Sequence, residues 1–507
     1  MKRGVAWAVA LACWALSLWL AVTWLRPGTP WGPTYSSDSA IPLLMVRAPR
    51  VDLFFAYYLG QDRFGTWPFL LARLVGGRDW SAEGLQALLI AATWTVMFPL
   101  AWLSRQGVVA VGLFVLVPLV LVLPEEVRPY LLDISQPYGW QFAMLAWTWM
   151  GLRGLMEART RQGVWGWGVA ATVSAGLTIW MSTSSLPALV VFLGVEALRA
   201  RARGLTNWRR FAAAAVPLVV GGTFERQLRR LYHRFSKKSV GIEFRTAVQL
   251  DRGHLWENTR QVTALLWTGP VPLAGVLLVL AGIAATWLVR HGRRGWSAWA
   301  ALSEPGWLAL GCGLAAAAQL PLLVAVSHVR ANDYSLRYFG LAHALALVAL
   351  GVLVLGWLAT RVSQNVLRGA GALAGVALAV AALTWRGPPV VKPDPARARD
   401  AALAVARVAP GMLLMGGYWD VYQLAGLQPL ASQMLPVPTP EDYQRTAHLI
   451  PQVKAARELV WVQRMEDDSK PEPLERELHG VKFQRAPEPW LSVPGYTFWK
   501  YVRAPVP

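Results

Sequence analysis

Two early aspartates, Asp38 and Asp62, and a late arginine, Arg337, are the residues of this chain best suited to chemistry. Asp38 sits in Ser36-Ser37-Asp38-Ser39-Ala40-Ile41-Pro42. Asp62 sits in Tyr57-Tyr58-Leu59-Gly60-Gln61-Asp62-Arg63-Phe64-Gly65-Thr66-Trp67-Pro68. Both follow the first long apolar run, so both are expected at a membrane surface. A carboxylate placed there is suited to take a proton from an acceptor hydroxyl. The plainer alternative is a solvated or helix-capping aspartate, and Asp62 with Arg63 also fits a structural ion pair. Glu125 and Glu126, in Pro124-Glu125-Glu126-Val127-Arg128-Pro129-Tyr130, could bind a cation or hydrogen-bond a sugar, or simply form a solvated turn. Arg226, Arg230 and Arg234 share a face at helical spacing, with Arg229 beside them. Such a face holds a phosphate or anionic headgroups. Arg337, in Ser335-Leu336-Arg337-Tyr338-Phe339, presents a planar fork that suits two phosphate oxygens, or snorkels to headgroups. Trp67 and Trp256 suit either stacking on a sugar ring or anchoring at the interface.

The elements that must position these groups are apolar. The chain is 55% hydrophobic and only 15% charged, against about 25% charged in soluble domains. Apolar runs fall at about 5–25, 83–103, 107–123, 138–156, 164–181, 185–198, 209–224, 262–289, 305–326, 338–358 and 369–385. Roughly 20 apolar residues match a hydrocarbon core of about 30 Å. The fold class is therefore an α-helical polytopic membrane protein with about eleven spans. The net charge of +20 then belongs to arginine-bearing loops facing anionic lipid, and nucleic acid is not the expected partner. The two cysteines, Cys13 and Cys312, both fall in spans and permit no disulfide framework or zinc pattern.

Arg105, then Arg153, Arg159 and Arg161, then Arg199 through Arg210, then Arg290 through Arg294, then Arg361 and Arg368 fall in alternate loops. Those loops are expected to be cytoplasmic, with an uncleaved N-terminal signal anchor starting inside. The segments Glu225–Asn258 and Ser327–Arg337 are basic on the opposite side, so either the topology differs there or those charges have anionic partners on that side. No acidic residue is expected deep within a span, which argues against an ion-coupled pump.

The division is a transmembrane part at 1–385, with a first outer loop at 26–82, and an extracytoplasmic domain at 386–507. Short apolar pieces at 40–48 and 66–75 are expected to lie along the interface. The tail reads as a small α/β domain. It has helices over Ala396–Val408 and Glu441–Arg457, and strands over Met412–Met415, Leu459–Gln463 and Tyr496–Val502.

In this layout the chain resembles the GT-C class of polytopic glycosyltransferases, which includes protein mannosyltransferases and the aminoarabinose transferase of lipid A. Asp38 falls where that family's catalytic aspartate is expected. Phe64 through Leu71 looks like the family's His-Pro-Pro-Leu segment, with Trp67-Pro68 in place of His-Pro-Pro. Arg337-Tyr338-Phe339 looks like the Arg-Tyr at a late outer helix mouth, and Gly417-Tyr418-Trp419-Asp420-Val421-Tyr422 is similar to a tail motif of bacterial relatives. The resemblance implies an inverting transferase in a bacterial inner membrane, with the tail domain periplasmic. It implies a polyprenyl-phosphate sugar as donor, Asp38 as base, Arg337, Tyr338 and the Arg226–Arg234 face at the phosphate, and Asp62 supporting the loop or sharing a divalent cation. The rival functions are a lipid or glycan transporter or flippase, and a non-catalytic membrane scaffold.

Overall fold

The computed structural model describes residues 14–15, 19, 37–49, 51–59, 61–62, 64–124, 126–132, 138–205, 208–240, 250–292, 296–362, 394–438, 447–465 and 473–505. Its helices of eight residues or more, in chain order, are α1 Ser37–Arg47, α2 Trp67–Gly76, α3 Ala82–Trp94, α4 Met97–Ser104, α5 Tyr138–Glu157, α6 Arg161–Met181 and α7 Leu186–Ala202. They continue with α8 Trp208–Val240, α9 Leu255–Leu265, α10 Leu273–His291, α11 Glu304–Ala325, α12 Gly340–Arg361, α13 Asp394–Val408 and α14 Tyr418–Leu427. Among the described residues, six stretches are long and apolar enough to cross a membrane: Ala82–Ser104, Arg161–Met181, Thr183–Ala202, Leu273–His291, Glu304–Ala325 and Leu336–Arg361. Runs expected at 5–25 and 369–385 lie outside the described residues, save 14–15 and 19.

Local chemistry sets the helix ends. Ser81, Thr160 and Ser303 each accept from the backbone N–H three residues on, satisfying a donor that helix geometry orphans. Arg105, left-handed at φ 57°, ends α4. The expected run over 262–289 divides into α9 and α10 at Gly269-Pro270-Val271-Pro272. Gly269 there turns at φ 90°, and a proline cannot continue the hydrogen-bond ladder. The run over 209–224, by contrast, continues to Val240. At 33 residues, α8 would be about 50 Å long, well beyond a hydrocarbon core of about 30 Å. Its basic second half must therefore project past the apolar layer. Two pieces expected along the interface, α1 and α2, are helices too short to span, and α2 presents Leu74 and Val75 outward.

Exposed apolar side chains coat the outer helices, such as Trp165, Val169 and Val173 of α6 and Leu278, Val279 and Ile283 of α10. In lipid such a surface is the solvated one. Central helix α5 is buried along almost all of its length, and its Trp149 ring stacks on Phe192 of α7 at 4.1 Å.

The C-terminal domain carries strands β1 Leu413–Gly416, β2 Leu435–Pro438, β3 Glu458–Arg464, β4 Glu475–Leu478, β5 Val481–Arg485, β6 Leu491–Val493 and β7 Tyr496–Arg503. They form one seven-stranded sheet in the order β2-β1-β3-β7-β5-β4, with β6 pairing β7. Strand β1 runs parallel to β2 and β3, with α14 as the crossover between β1 and β2. The expected helix and strands at 396–408, 412–415, 459–463 and 496–502 are all present. Of the helix expected over 441–457, residues 447–457 are described, and they hold the 3-10 turn Ala447–Leu449 and the short helix Ile450–Ala455, which ends at an extended Ala456.

Candidate functional site

Polar groups gather at two opposite ends of the bundle. One end is built around the first loop. Residues Tyr57 and Gly65 pair as an antiparallel bridge, and Tyr58 N–H donates to the Phe64 carbonyl at 2.8 Å. This closes a tight loop that carries Asp62. The loop is stitched to the end of α6: Gly65 N–H donates to Met181 O at 3.2 Å, and Trp180 Nε1 donates to Ala56 O at 3.0 Å. Any side chain at Gly65 would collide with the Trp180 carbonyl, so close approach requires glycine there.

Asp62 is buried, and its Oδ2 lies 3.0 Å from His233 Nε2 and 4.0 Å from an Arg229 nitrogen. Arg229 in turn pairs with Glu225 at 2.5 Å, one turn earlier on α8. Tyr57 donates to Glu225 at 3.2 Å and packs its ring 4.9 Å from that of Tyr232. Burial, aided by the nearby Glu225 carboxylate, pushes the Tyr57 hydroxyl far up from its usual range. The inward face of α8 is thus Glu225, Arg229, Tyr232 and His233, and it locks the first loop. Arg226, Arg230 and Arg234 do share a face, but it is the exposed one, turned away from Asp62. A face chosen by charge alone missed the face that binds the loop. The signal available was Glu225 four residues before Arg229, an intrahelical pair that marks a shared side. The Arg229 guanidinium 4.0 Å from Asp62 disfavours a divalent cation beside it by like-charge repulsion. Among the described residues no group of three or more His, Cys, Asp or Glu could hold a metal.

Asp38 lies in the first turn of α1, where a negative side chain complements the helix dipole. Its carboxylate accepts from the Tyr418 hydroxyl of α14, and its backbone carbonyl accepts from Tyr58 at 2.7 Å. It is partly exposed. Arg337 is reached through the same loop. Phe64 packs edge-on against Tyr138 at 5.7 Å, and the Arg337 guanidinium lies within electrostatic range of Tyr138 and over the ring of Tyr130 at 5.8 Å. Arg337 donates to Asn332 at 2.9 Å and to Tyr338 at 3.0 Å, while Tyr338 meets His328 at 2.9 Å. Its Nε is buried with no hydrogen-bond partner among the described residues.

Trp67 does not present a free ring. It is buried, donates to Leu177 O at 3.1 Å and packs edge-on against Trp140 at 4.8 Å. Its role is to fix the start of α2, whereas Trp256 is exposed. Glu126 is exposed in a turn, and Glu125 lies outside the described residues, as does Arg63.

Some of the acid partners called for by the two basic segments are in the chain itself. Arg229 meets Glu225 and Asp62, and Arg330 donates to Asp251 at 2.6 Å. Asp251 also accepts from His254 at 2.7 Å. The His254 hydrogen bond, then Arg330, holds the Asp251 carboxyl well below its usual value of 3.8, at about 2. A depressed carboxylate stabilises the fold fully above its unfolded value and loses that contribution as pH falls through the folded one. Thermal unfolding of Asp251→Asn should therefore lie below wild type at pH 5, with the gap closing between pH 4 and pH 2. A gap independent of pH would show that the ion pair is not what Asp251 contributes.

The opposite end holds a buried charge network that the sequence did not lead us to expect. Glu196 of α7 is fully enclosed and contacts Arg153 at 2.7 Å and Arg199 at 2.8 Å. Arg199 reaches Glu157 at 2.6 Å, and Glu304 meets Arg153 at 3.0 Å and Arg203 at 2.6 Å. Arg153 and Arg199 are thus not loop residues facing lipid headgroups, and an acidic residue does lie inside a span. Two guanidinium groups make its charge tolerable.

The chain is a multi-pass helical membrane protein with a C-terminal sheet domain packed on its first loop. No family model and no curated protein matches it. Among solved structures it is similar to ArnT from Cupriavidus metallidurans bound to undecaprenyl phosphate, at 13% identity and a TM-score of 0.45, over 98% of each chain. It is also similar to the Archaeoglobus fulgidus oligosaccharyltransferase in complex with zinc and sulfate. There the identity is 13% and the TM-score 0.36, over 89% of this chain and 67% of that one.

Proposed function

We propose that this protein is a GT-C-type glycosyltransferase that moves a sugar from a polyprenyl-phosphate carrier to an acceptor at the outer face of a bacterial inner membrane. The observation that carries it is the Arg337 guanidinium. It sits at the loop end of α12, in aromatic surroundings, with one buried N–H lacking an acceptor among the described residues. An unmet donor on a cation at the rim of the apolar layer is what a lipid-linked phosphate oxygen would satisfy. Asp38, on the same end and partly exposed, is the base that takes the acceptor hydroxyl's proton as the phosphate leaves. Asp62 orders the loop through His233 and Arg229. Tyr338 orients Arg337, and the exposed Arg226, Arg230 and Arg234 face meets anionic headgroups rather than the reacting phosphate. The network of Arg153, Glu196 and Arg199 closes the opposite, cytoplasmic end, which is a poor feature for a transporter that must open there.

Undecaprenyl phosphate, added to the detergent-purified protein and followed by native mass spectrometry, tests the phosphate site. Arg337→Ala should weaken its retention by about tenfold or more, the size of a lost charge-assisted hydrogen bond. Equal retention by Arg337→Ala and wild type would remove Arg337 from the donor site.

A further inference from the structure

The geometry points to Tyr418, in the C-terminal domain, as a positioning residue for the Asp38 carboxylate, so that the domain is part of the transfer site and not an accessory to it. This rests on the assignment of Asp38 as base. Helices α1 and α14 lie side by side and are fastened at both ends. At one end the Tyr418 hydroxyl donates to Asp38 Oδ1. At the other, Arg47 donates to the carbonyls of Gln428 at 2.7 Å and Gly426 at 3.4 Å. The N-terminal turns face each other and so do the C-terminal ends, so the two helices run in the same direction.

Each half of this clamp is anchored behind. Arg47 also donates twice to the carbonyl of Trp80, at 2.7 and 3.2 Å, which ties it to the start of α3. Asp420, in the first turn of α14, pairs with Arg464 of β3 at 2.5 Å, which ties Tyr418 to the sheet. Tyr418 is further walled by Trp419 at 5.0 Å and Tyr422 at 5.3 Å, both edge-on. A tether would be served as well by Arg47 alone. The second fastening ends instead on the one partly exposed carboxylate of α1. A hydroxyl donor fixed by the sheet holds one oxygen of a carboxylate and thereby its plane, which decides whether the other oxygen meets an acceptor hydroxyl at a productive angle.

The test uses the full-length protein in liposomes, with a panel of tritiated sugars on undecaprenyl phosphate as donors and a cell-envelope extract as acceptor. Tyr418→Phe should lower kcat about 10- to 100-fold, as for one hydrogen bond to a charged group, with KM for the donor within about twofold of wild type. Arg47→Met should lower the melting temperature while leaving kcat near wild type below it. If Tyr418→Phe does not accumulate, 3-fluorotyrosine at position 418, which keeps the ring and alters only the donor, must change kcat. An unchanged kcat in either Tyr418 variant, with Asp38→Asn inactive, overturns the positioning role and leaves Tyr418 a tether. Full activity in Asp38→Asn removes Asp38 as the base and the positioning role of Tyr418 with it, whereas a wild type inert on every donor overturns the transferase assignment itself.

Discussion

Asp38→Asn is expected to lower sugar transfer by about two to four powers of ten, the usual worth of a positioned general base, while leaving expression and the melting temperature close to wild type. Asparagine is isosteric and still accepts from Tyr418 through its carbonyl oxygen, so the contact between α1 and α14 survives. What disappears is the capacity to take a proton. Asp62 provides the contrast. It is buried against His233 and Arg229, and its loss would unlock the first loop rather than remove a base. The measurement is initial transfer rate beside a melting curve for the same preparation. A variant that melts normally and transfers normally would take Asp38 out of the mechanism.

Glu196→Gln should be the most destabilising single substitution in the bundle. It removes the negative charge between Arg153 and Arg199, whose side chains are fully enclosed, and leaves two buried cations leaning on Glu157 and Glu304 alone. Breaking a buried pair costs about 3–5 kcal/mol because the surviving charge has nowhere to go. The expected result is a sharply lower melting temperature and poor accumulation. Replacing Arg153, Glu196 and Arg199 together by Met, Leu and Met should recover much of it, since apolar side chains need no partner there. A single variant that melts with wild type would mean that water already reaches these groups.

Much of the framework was legible from hydropathy and breakers. Apolar runs marked where helices would form, and Pro270 and Pro272 marked the interruption of the long run over 262–289, where the structure ends one helix and begins the next. The side chains that build the site were harder, because each pair joins distant positions. Asp62 and His233 are 171 residues apart, and Asp38 and Tyr418 are 380 apart. Nothing local to either partner announces the other. Tyr418 stood out within its short motif, but its target could not be named from that motif. Glu196 is a different kind of miss. A lone glutamate in an apolar run, with arginines at the same depth in neighbouring runs, is a charge-balance signal; counting those arginines as loop residues hid it.

The Arg153–Glu196–Arg199 cluster also constrains biogenesis. A helix bearing Glu196 and Arg199 in its last two turns would meet the edge of the hydrocarbon unhappily by itself, at a cost below the ~2.5–3.5 kcal/mol per charge of the bilayer centre. Arg153 leaves the ribosome 43 residues before Glu196, already on α5, so α7 has a complementary neighbour when it reaches the translocon. Glu304 arrives 105 residues after Arg199 and completes the set last. Synthesis order and electroneutrality therefore run together, and a chain rearranged so that α7 emerged before α5 would have to insert its charges unaccompanied.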